Sequence, residues 1–273
     1  MVVMKKLISA ALISLFVGFA VSANAGPFED GVAAYARQDY VTAAKLYRIS
    51  ADQGDALAQV SLGVMYDNGQ GVTKDYKKAV KWYRLSADQG DAHAQFTLGV
   101  MYANGQGVTQ DYKEAVKWYR LSADQGNAKA QYNLGVSYEQ GQGVRQDYKK
   151  AVKWLRLSAD QGDPIAQIIL GFKYEIGRGV TQDYKEAVKW YRLSADQGDA
   201  AAQYNLGDMY ENGRGVTRDY VRAHMWFNIS ASSGDKNAEA NLDIVAKKMT
   251  QTQIEKAREM ARLCMKTNYK NCD

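Results

Sequence analysis

Ala87-Asp-Gln-Gly-Asp-Ala-His-Ala-Gln-Phe-Thr-Leu-Gly-Val-Met-Tyr-Ala-Asn104 runs into Gly105-Gln-Gly-Val-Thr-Gln110 and then into Asp111-Tyr-Lys-Glu-Ala-Val-Lys-Trp-Tyr-Arg-Leu-Ser122. In the first part Ala94, Leu98, Met101 and Tyr102 recur at three- and four-residue steps, the period of a helix with one buried stripe. Asp91 stands where an N-cap would accept from free backbone N–H groups, and Gly105 and Gly107 end the segment, the earlier suited to a left-handed C-terminal residue. Asp111 then caps a second helix, with Glu114 three residues on as a capping-box partner. Tyr112, Ala115, Val116, Trp118, Tyr119 and Ser122 form its inward face, while Lys113, Lys117, Arg120 and Asp124 point out. The stretch therefore predicts one helical hairpin.

The same 36 residues recur without insertion or deletion from Ala51, Ala87, Ala123, Ala159 and Ala195. Ala58, Gln59, Leu62, Gly63, Tyr66, Gly69, Gly71, Val72, Asp75, Tyr76, Ala79, Trp82 and Ser86 are repeated in all five copies. A single hairpin cannot bury such a face alone, so the copies must stack, small residues letting backbones approach and large aromatics filling the gaps. Phe28 to Arg37 and Asp39 to Ser50 read as a shortened first pair joined through Gln38. Asp235 to Lys248 and Thr250 to about Met265 read as two closing helices. The expected organisation is a leader over 1–25, an N-terminal capping pair over 26–54, five repeats over 55–234, and C-terminal capping helices with a tail over 235–273.

The spacing Ala58-Gln59…Leu62-Gly63…Tyr66…Gly69-x-Gly71-Val72…Asp75-Tyr76…Ala79…Trp82-Tyr83 resembles the Sel-one-like repeat family, a relative of the tetratricopeptide repeat with a longer loop inside each hairpin. The resemblance covers residues 51 to 230. It implies an all-α fold, a right-handed α/α superhelical solenoid of stacked antiparallel helix pairs that serves as an adaptor in protein assemblies. A cysteine-rich subset of exported relatives is associated with β-lactam binding or hydrolysis. Its cysteine pairs are missing from every repeat of this chain.

The ends indicate an address. Lys5 and Lys6 precede the apolar run Leu7 to Val21, and Ala23-Asn24-Ala25 is a small-x-small cleavage signal. This reads as a secretory leader cut between Ala25 and Gly26, leaving a periplasmic or secreted chain with no stable membrane span. The only cysteines, Cys264 and Cys272, are expected to pair as a disulfide there, closing a loop worth about 2–3 kcal/mol in the chain-entropy picture. The formal charge of +5, from 35 Lys and Arg against 30 Asp and Glu, is too mild to mark a nucleic-acid binder.

Catalytic constellations are thin. Ser233-Gly-Asp-Lys236 fits Ser-x-x-Lys, but the accompanying Ser-Asp-Asn and Lys-Thr-Gly motifs are missing. His93 and His224 lie in different repeats and read as surface or rim residues, without the spacing of a metal site. Gly69-Gln-Gly71 lacks the strand and the Gly-Lys-Ser/Thr of a phosphate cradle. The stripe of Lys77, Lys78, Lys81 and Arg84, repeated in later copies, reads as a solvated outer face. No catalytic residue, metal or cofactor is expected.

Positions that vary between copies sit on the first helices, which in tetratricopeptide-like superhelices line the concave groove. That resemblance nominates Phe96, Tyr132, Asn133, Ile165, Ile168, Ile169, Phe172, Tyr204, Asn205 and Asp208 as partner-binding residues. Aromatics beside amides suit an extended peptide. The fourth copy departs most, since Ile165, Ile168, Ile169, Phe172 and Ile176 make its first helix apolar nearly all round, which fits either tighter packing or a binding patch. The expected function is a non-catalytic, monomeric exported adaptor that holds a protein or peptide. The alternatives are a β-lactam- or cell-wall-active hydrolase and a secreted factor engaging host proteins.

Overall fold

A computed structural model describes residues 26–270 and Cys272; the expected leader lies outside the described residues. All regular elements among them are helices. In order these are α1 (Pro27–Ala36), α2 (Tyr40–Asp52), α3 (Ala56–Asn68), α4 (Tyr76–Asp88), α5 (Ala92–Asn104), α6 (Tyr112–Asp124), α7 (Ala128–Gln140), α8 (Tyr148–Asp160), α9 (Pro164–Ile176), α10 (Tyr184–Ala195), α11 (Ala200–Asn212), α12 (Tyr220–Ser232), α13 (Lys236–Ala246) and α14 (Gln251–Lys266). The pairs α1–α2, α5–α6, α7–α8, α9–α10 and α11–α12 pack as hairpins, α6, α8 and α10 pack on the first helix of the next pair, and α13 and α14 both pack on α12, the arrangement of an all-α repeat solenoid. The chain divides into two compact units, one ending at Ser86 and one beginning at Ala87.

In the first unit Ala34, Ala43, Ala58, Leu62 and Met65 are completely buried, with Tyr47, Trp82 and Tyr83 nearly so. Gln38 holds a left-handed φ of 64° and turns α1 into α2 without a glycine loop. Arg48 donates to the Tyr66 hydroxyl and lies over the Trp82 ring at 5.3 Å.

The second unit repeats one hairpin design. Asp91, Asn127, Asp163 and Asp199 cap α5, α7, α9 and α11, each accepting from the amide three residues on. Pro164 occupies the first position of α9, where its missing N–H has no helical partner anyway. Gly105, Gly141, Gly177 and Gly213 end the first helices in the left-handed conformation. The second loop glycine has a stricter duty. A Cβ on Gly143 would lie 2.1 Å from the Tyr112 carbonyl oxygen, so the loop crosses the preceding hairpin where no side chain fits.

The repeated polar residues are inter-repeat fasteners. Gln95, Gln131, Gln167 and Gln203 are buried and donate to the carbonyls of Ala87, Ala123, Ala159 and Ala195. Gln125, Gln161 and Gln197 in turn donate to the side-chain oxygens of Gln95, Gln131 and Gln167 at 2.7–2.8 Å. Ser122, Ser194 and Ser230 donate to Ala92, Pro164 and Ala200. These bonds satisfy groups that the stack removes from water, whereas Ser158 in the same register is buried without such a bond.

Four sequence expectations change in detail. Glu114 and Glu186 lie near Lys117 and Lys189 (3.5 and 3.6 Å) instead of reaching back to their caps, and the complete capping box is Thr250 with Gln253. Tyr112 is 38% exposed, not inward, because the loop that Gly143 carries across its carbonyl holds the start of α6 at the rim. Arg120, Arg156 and Arg192 leave the outer stripe to donate to the hydroxyls of Tyr138, Tyr174 and Tyr210 in the following repeat. His224 is buried at 3% exposure because α14 lies over α12.

That cover is anticipated in the side chains of α12. Where α6, α8 and α10 carry lysines (113/117, 149/153, 185/189), α12 has Val221 and Met225. Leu121, Leu157 and Leu193 are 38–42% exposed, but Ile229 in the same register is fully buried in a cluster with Ala261 and Cys264 of α14. A disulfide joins Cys264 to Cys272. Beyond α14, Asn268 and Tyr269 adopt left-handed φ values, and the Tyr269 ring lies where a Cβ on Gly198 would come within 2.9 Å of it. The tail is thereby pinned to the turn between α10 and α11.

Candidate partner-binding surface

The first helices of the second unit turn Ala94, Leu98 and Met101 and their counterparts inward. The next register carries Phe96, Tyr132, Ile168 and Tyr204, all half-buried. Phe96 lies 6.2 Å from the Tyr119 ring, and Tyr204 lies 5.5 Å from Phe227 while its hydroxyl accepts from Asn241 at 3.1 Å. Tyr132 packs against the cluster of Val152, Leu170 and Trp190, and Ile168 against the C-terminal cluster. Burial pushes the Tyr132 phenol above its ordinary pKa. These four side chains are therefore occupied with packing.

Asn133 is hydrogen-bonded to the Tyr119 phenol, and Ile169 and Asn205 are half-buried. Ile165 and Phe172 stand out, 49% and 47% exposed, and Ile176 joins them at 40%. Steps of seven and four residues put the three on one stripe of α9. Ala166, Leu170 and Gly171 bury the opposite side of the same helix. Of the ten nominated side chains, the structure brings Ile165 and Phe172 together as exposed apolar groups.

Asp208 belongs to a second feature that sequence reasoning missed, a series of ion pairs at the ends of the first helices. Glu139 of α7 meets Lys173 of α9 and, at 3.6 Å, Arg178 of the following loop. Glu175 of α9 meets Arg214 at 2.9 Å, and Arg214 also pairs with Asp208 of α11. Glu211 meets Lys248 at 2.7 Å. Each cation lies over the tyrosine opening a second helix: Arg178 over Tyr148 (5.4 Å), Arg214 over Tyr184 (5.9 Å), Lys248 over Tyr220 (5.5 Å). The signal in the sequence is Glu139, Glu175 and Glu211 in one register, where earlier copies have Asp67 and Ala103.

The electrostatics are those of packed charges. The Lys173 side chain is 5% exposed in a slot that is Met65, Met101 and Met209 elsewhere. Burial raises the Asp208 carboxyl above its usual range, partly offset by Arg214. Tyr191 donates to Glu175 at 2.6 Å, and burial with that carboxylate pushes its phenol far up. Among the described residues no group of three or more His, Cys, Asp or Glu is placed to hold a metal ion. Ser233 ends α12 and Lys236 opens α13, so that pair flanks an inter-repeat turn. No helix among the described residues is long and apolar enough to cross a membrane.

Comparison with known proteins places this geometry. The Sel1 repeat pattern matches residues 25–55, 56–91, 92–127, 128–163, 164–199 and 200–235. The structure is similar to that of c5321, described as a protective antigen present in uropathogenic Escherichia coli strains and displaying an SLR fold. The match has 36% identity and a TM-score of 0.80 and covers 90% of this chain and 54% of that one. The chain thus spans about half the length of that relative. It is also similar to a Sel1 repeat protein from Oxalobacter formigenes, with 36% identity and a TM-score of 0.73 over 86% of this chain and 95% of that one. Comparison with curated proteins gives no match. Six matched repeats in unbroken succession make this chain a member of the Sel1 repeat family.

Proposed function

We propose that the protein is a non-catalytic, monomeric, exported scaffold that captures a segment of another protein on the first-helix face of its second unit. The observation that carries this reading is the stripe of Ile165, Phe172 and Ile176, each at least 40% exposed on a helix whose other side is completely buried. Sel1 repeats are interaction scaffolds, and the tetratricopeptide-like resemblance makes this face the lining of a concave groove in a right-handed superhelix. An extended segment laid across α9 would remove that apolar stripe from water.

Export rests on the expected leader, cleaved between Ala25 and Gly26, and on the Cys264–Cys272 disulfide, a bond that persists in oxidising compartments. The terminal pairs α1–α2 and α13–α14 act as caps on the array. A second address, outside the cell in contact with host proteins, is supported by the likeness to a protective antigen over half of that protein's length.

A photoreactive residue at Ile165 or Phe172 should crosslink to a discrete partner in cells, whereas one at Lys153 on the outer face of α8 should not. Ile165→Asp together with Phe172→Asp should abolish the crosslinked product while leaving the cooperative helical melt in place. Equal labelling from all three positions would refute the assignment of the face. Amino-terminal sequencing of the exported protein should begin at Gly26, and retention of residues 1–25 would refute the address.

A further inference from the structure

We infer that the segment captured on α9 carries an acidic residue on the α7 side of its apolar anchors and a basic residue on the α11 side. The inference rests on the proposed binding face and adds the charge order of the occupant.

On the α7 side one carboxylate, Glu139, faces two cations, Lys173 and Arg178. Lys173 is buried against that carboxylate, and Arg178, with its side chain 49% exposed, is the accessible member. One positive charge is left over. On the α11 side the ratio inverts, because the single cation Arg214 lies between Glu175 and Asp208. Asp208 keeps 30% of its side chain exposed, and the adjoining Glu211 is matched by Lys248. One negative charge is left over there. Glu139 is on α7, Glu175 on α9 and Asp208 on α11, so the surplus changes sign across α9.

The apolar stripe stands between the two surpluses. Phe172 has the same repeat register as Val136 on α7 and Asp208 on α11, and Ile176 is followed within two residues by Arg178. A segment whose bulky side chains cover Phe172 and Ile176 therefore brings its flanking side chains to a cation on one side and a carboxylate on the other. Covering the stripe also excludes water from both flanks, which strengthens matched charges and penalises mismatched ones. The charge order thus selects among partners that share the same apolar anchors.

The test uses the purified chain, from Gly26 onward, and three fluorescein-labelled peptides in anisotropy titrations. These are Gly-Asp-Asp-Leu-Phe-Leu-Lys-Lys-Gly, Gly-Asp-Asp-Leu-Phe-Leu-Asp-Asp-Gly and Gly-Lys-Lys-Leu-Phe-Leu-Lys-Lys-Gly. The mixed peptide is not set against its reverse, because an extended chain can lie across α9 in either direction. The mixed peptide should bind at least about tenfold more tightly than either single-sign peptide, a difference near 1.4 kcal/mol. Arg178→Glu should transfer the preference to the lysine-only peptide. Asp208→Asn should bring the aspartate-only peptide up towards the mixed one. Circular dichroism melts of both variants establish that the fold is retained. Affinities within twofold of each other, or an order unchanged by Arg178→Glu, overturn the charge order. If no peptide binds, the charge order also falls, and crosslinks from Phe172 then decide whether the binding face stands without it.

Discussion

Single residues show where a repeat protein departs from its own consensus and what each departure costs. Lys173 replaces a buried methionine and is held by the Glu139 carboxylate. Glu139→Gln should therefore destabilise the fold by about 2–4 kcal/mol in chemical denaturation, since it strands a buried ammonium. Adding Lys173→Met, which restores the residue of three other copies, should recover most of that loss. His224 replaces the valine of Val80, Val116, Val152 and Val188 and is buried beneath α14. Burial, and secondarily the charge of Arg258, hold its pKa below the ordinary 6.5. The unfolded chain then binds the proton more readily, so this stability is fully present above pH 6.5 and drains away as pH falls towards the depressed folded value. Wild type should lose more melting temperature between pH 7.5 and 5.5 than His224→Val, and parallel losses would exclude the histidine as the cause. Both residues break the repeat pattern in slots whose Met101 and Val116 counterparts read as inward, but His224 was read by its residue type and not by its register. Phe96, Tyr132, Ile168 and Tyr204 read as groove residues, and the structure half-buries each against a different neighbour. The arginines at 84, 120 and 156 were likewise read as part of a solvated outer stripe, although a fork-shaped donor suits a fixed acceptor such as the Tyr138 or Tyr174 hydroxyl better than a solvated face does.

At the scale of the helix, the caps, the left-handed glycines and the boundaries were readable because each depends on a local rule. Asp111 and Gly105 act as their residue types dictate. What α14 covers depends instead on comparing α12 with its predecessors, where lysines have become Val221 and Met225. Met225→Lys, which gives α12 the residue of every earlier second helix, should evict α14. Amide exchange should then rise across 251–266 while α5 to α10 stay protected. Reduction of Cys264–Cys272 acts on the same element from its far end and should lower stability by about 2–3 kcal/mol from loop closure alone. It should also free Tyr269 from the Gly198 turn, detectable as faster exchange at residues 196–200. Exchange there that ignores the reductant would mean the tail holds without its bridge.

At the scale of the molecule, stability is shared between neighbours, so local damage should spread. Trp118 is 5% exposed, and Trp118→Ala should cost ~3 kcal/mol or more. Exchange should speed up in the adjoining hairpin α7–α8 as well as in α5–α6, because each hairpin supplies its neighbour's core. Loss confined to α6 would contradict that coupling. The solenoid as a whole was the most legible level, being spelled five times over, and the binding face the least, being spelled once. The outer side of α12 has one more consequence, for how such a gene can grow. Duplicating residues 123–158 would insert another lysine-faced hairpin and lengthen the protein without unmasking any apolar side. Duplicating 195–230 would create two helices bearing Val221, Met225 and Ile229 side chains and only one α14 to lie over them. Tandem expansion is therefore tolerated in the interior of the array and penalised at its last hairpin, which makes α12 a stop signal written in side chains.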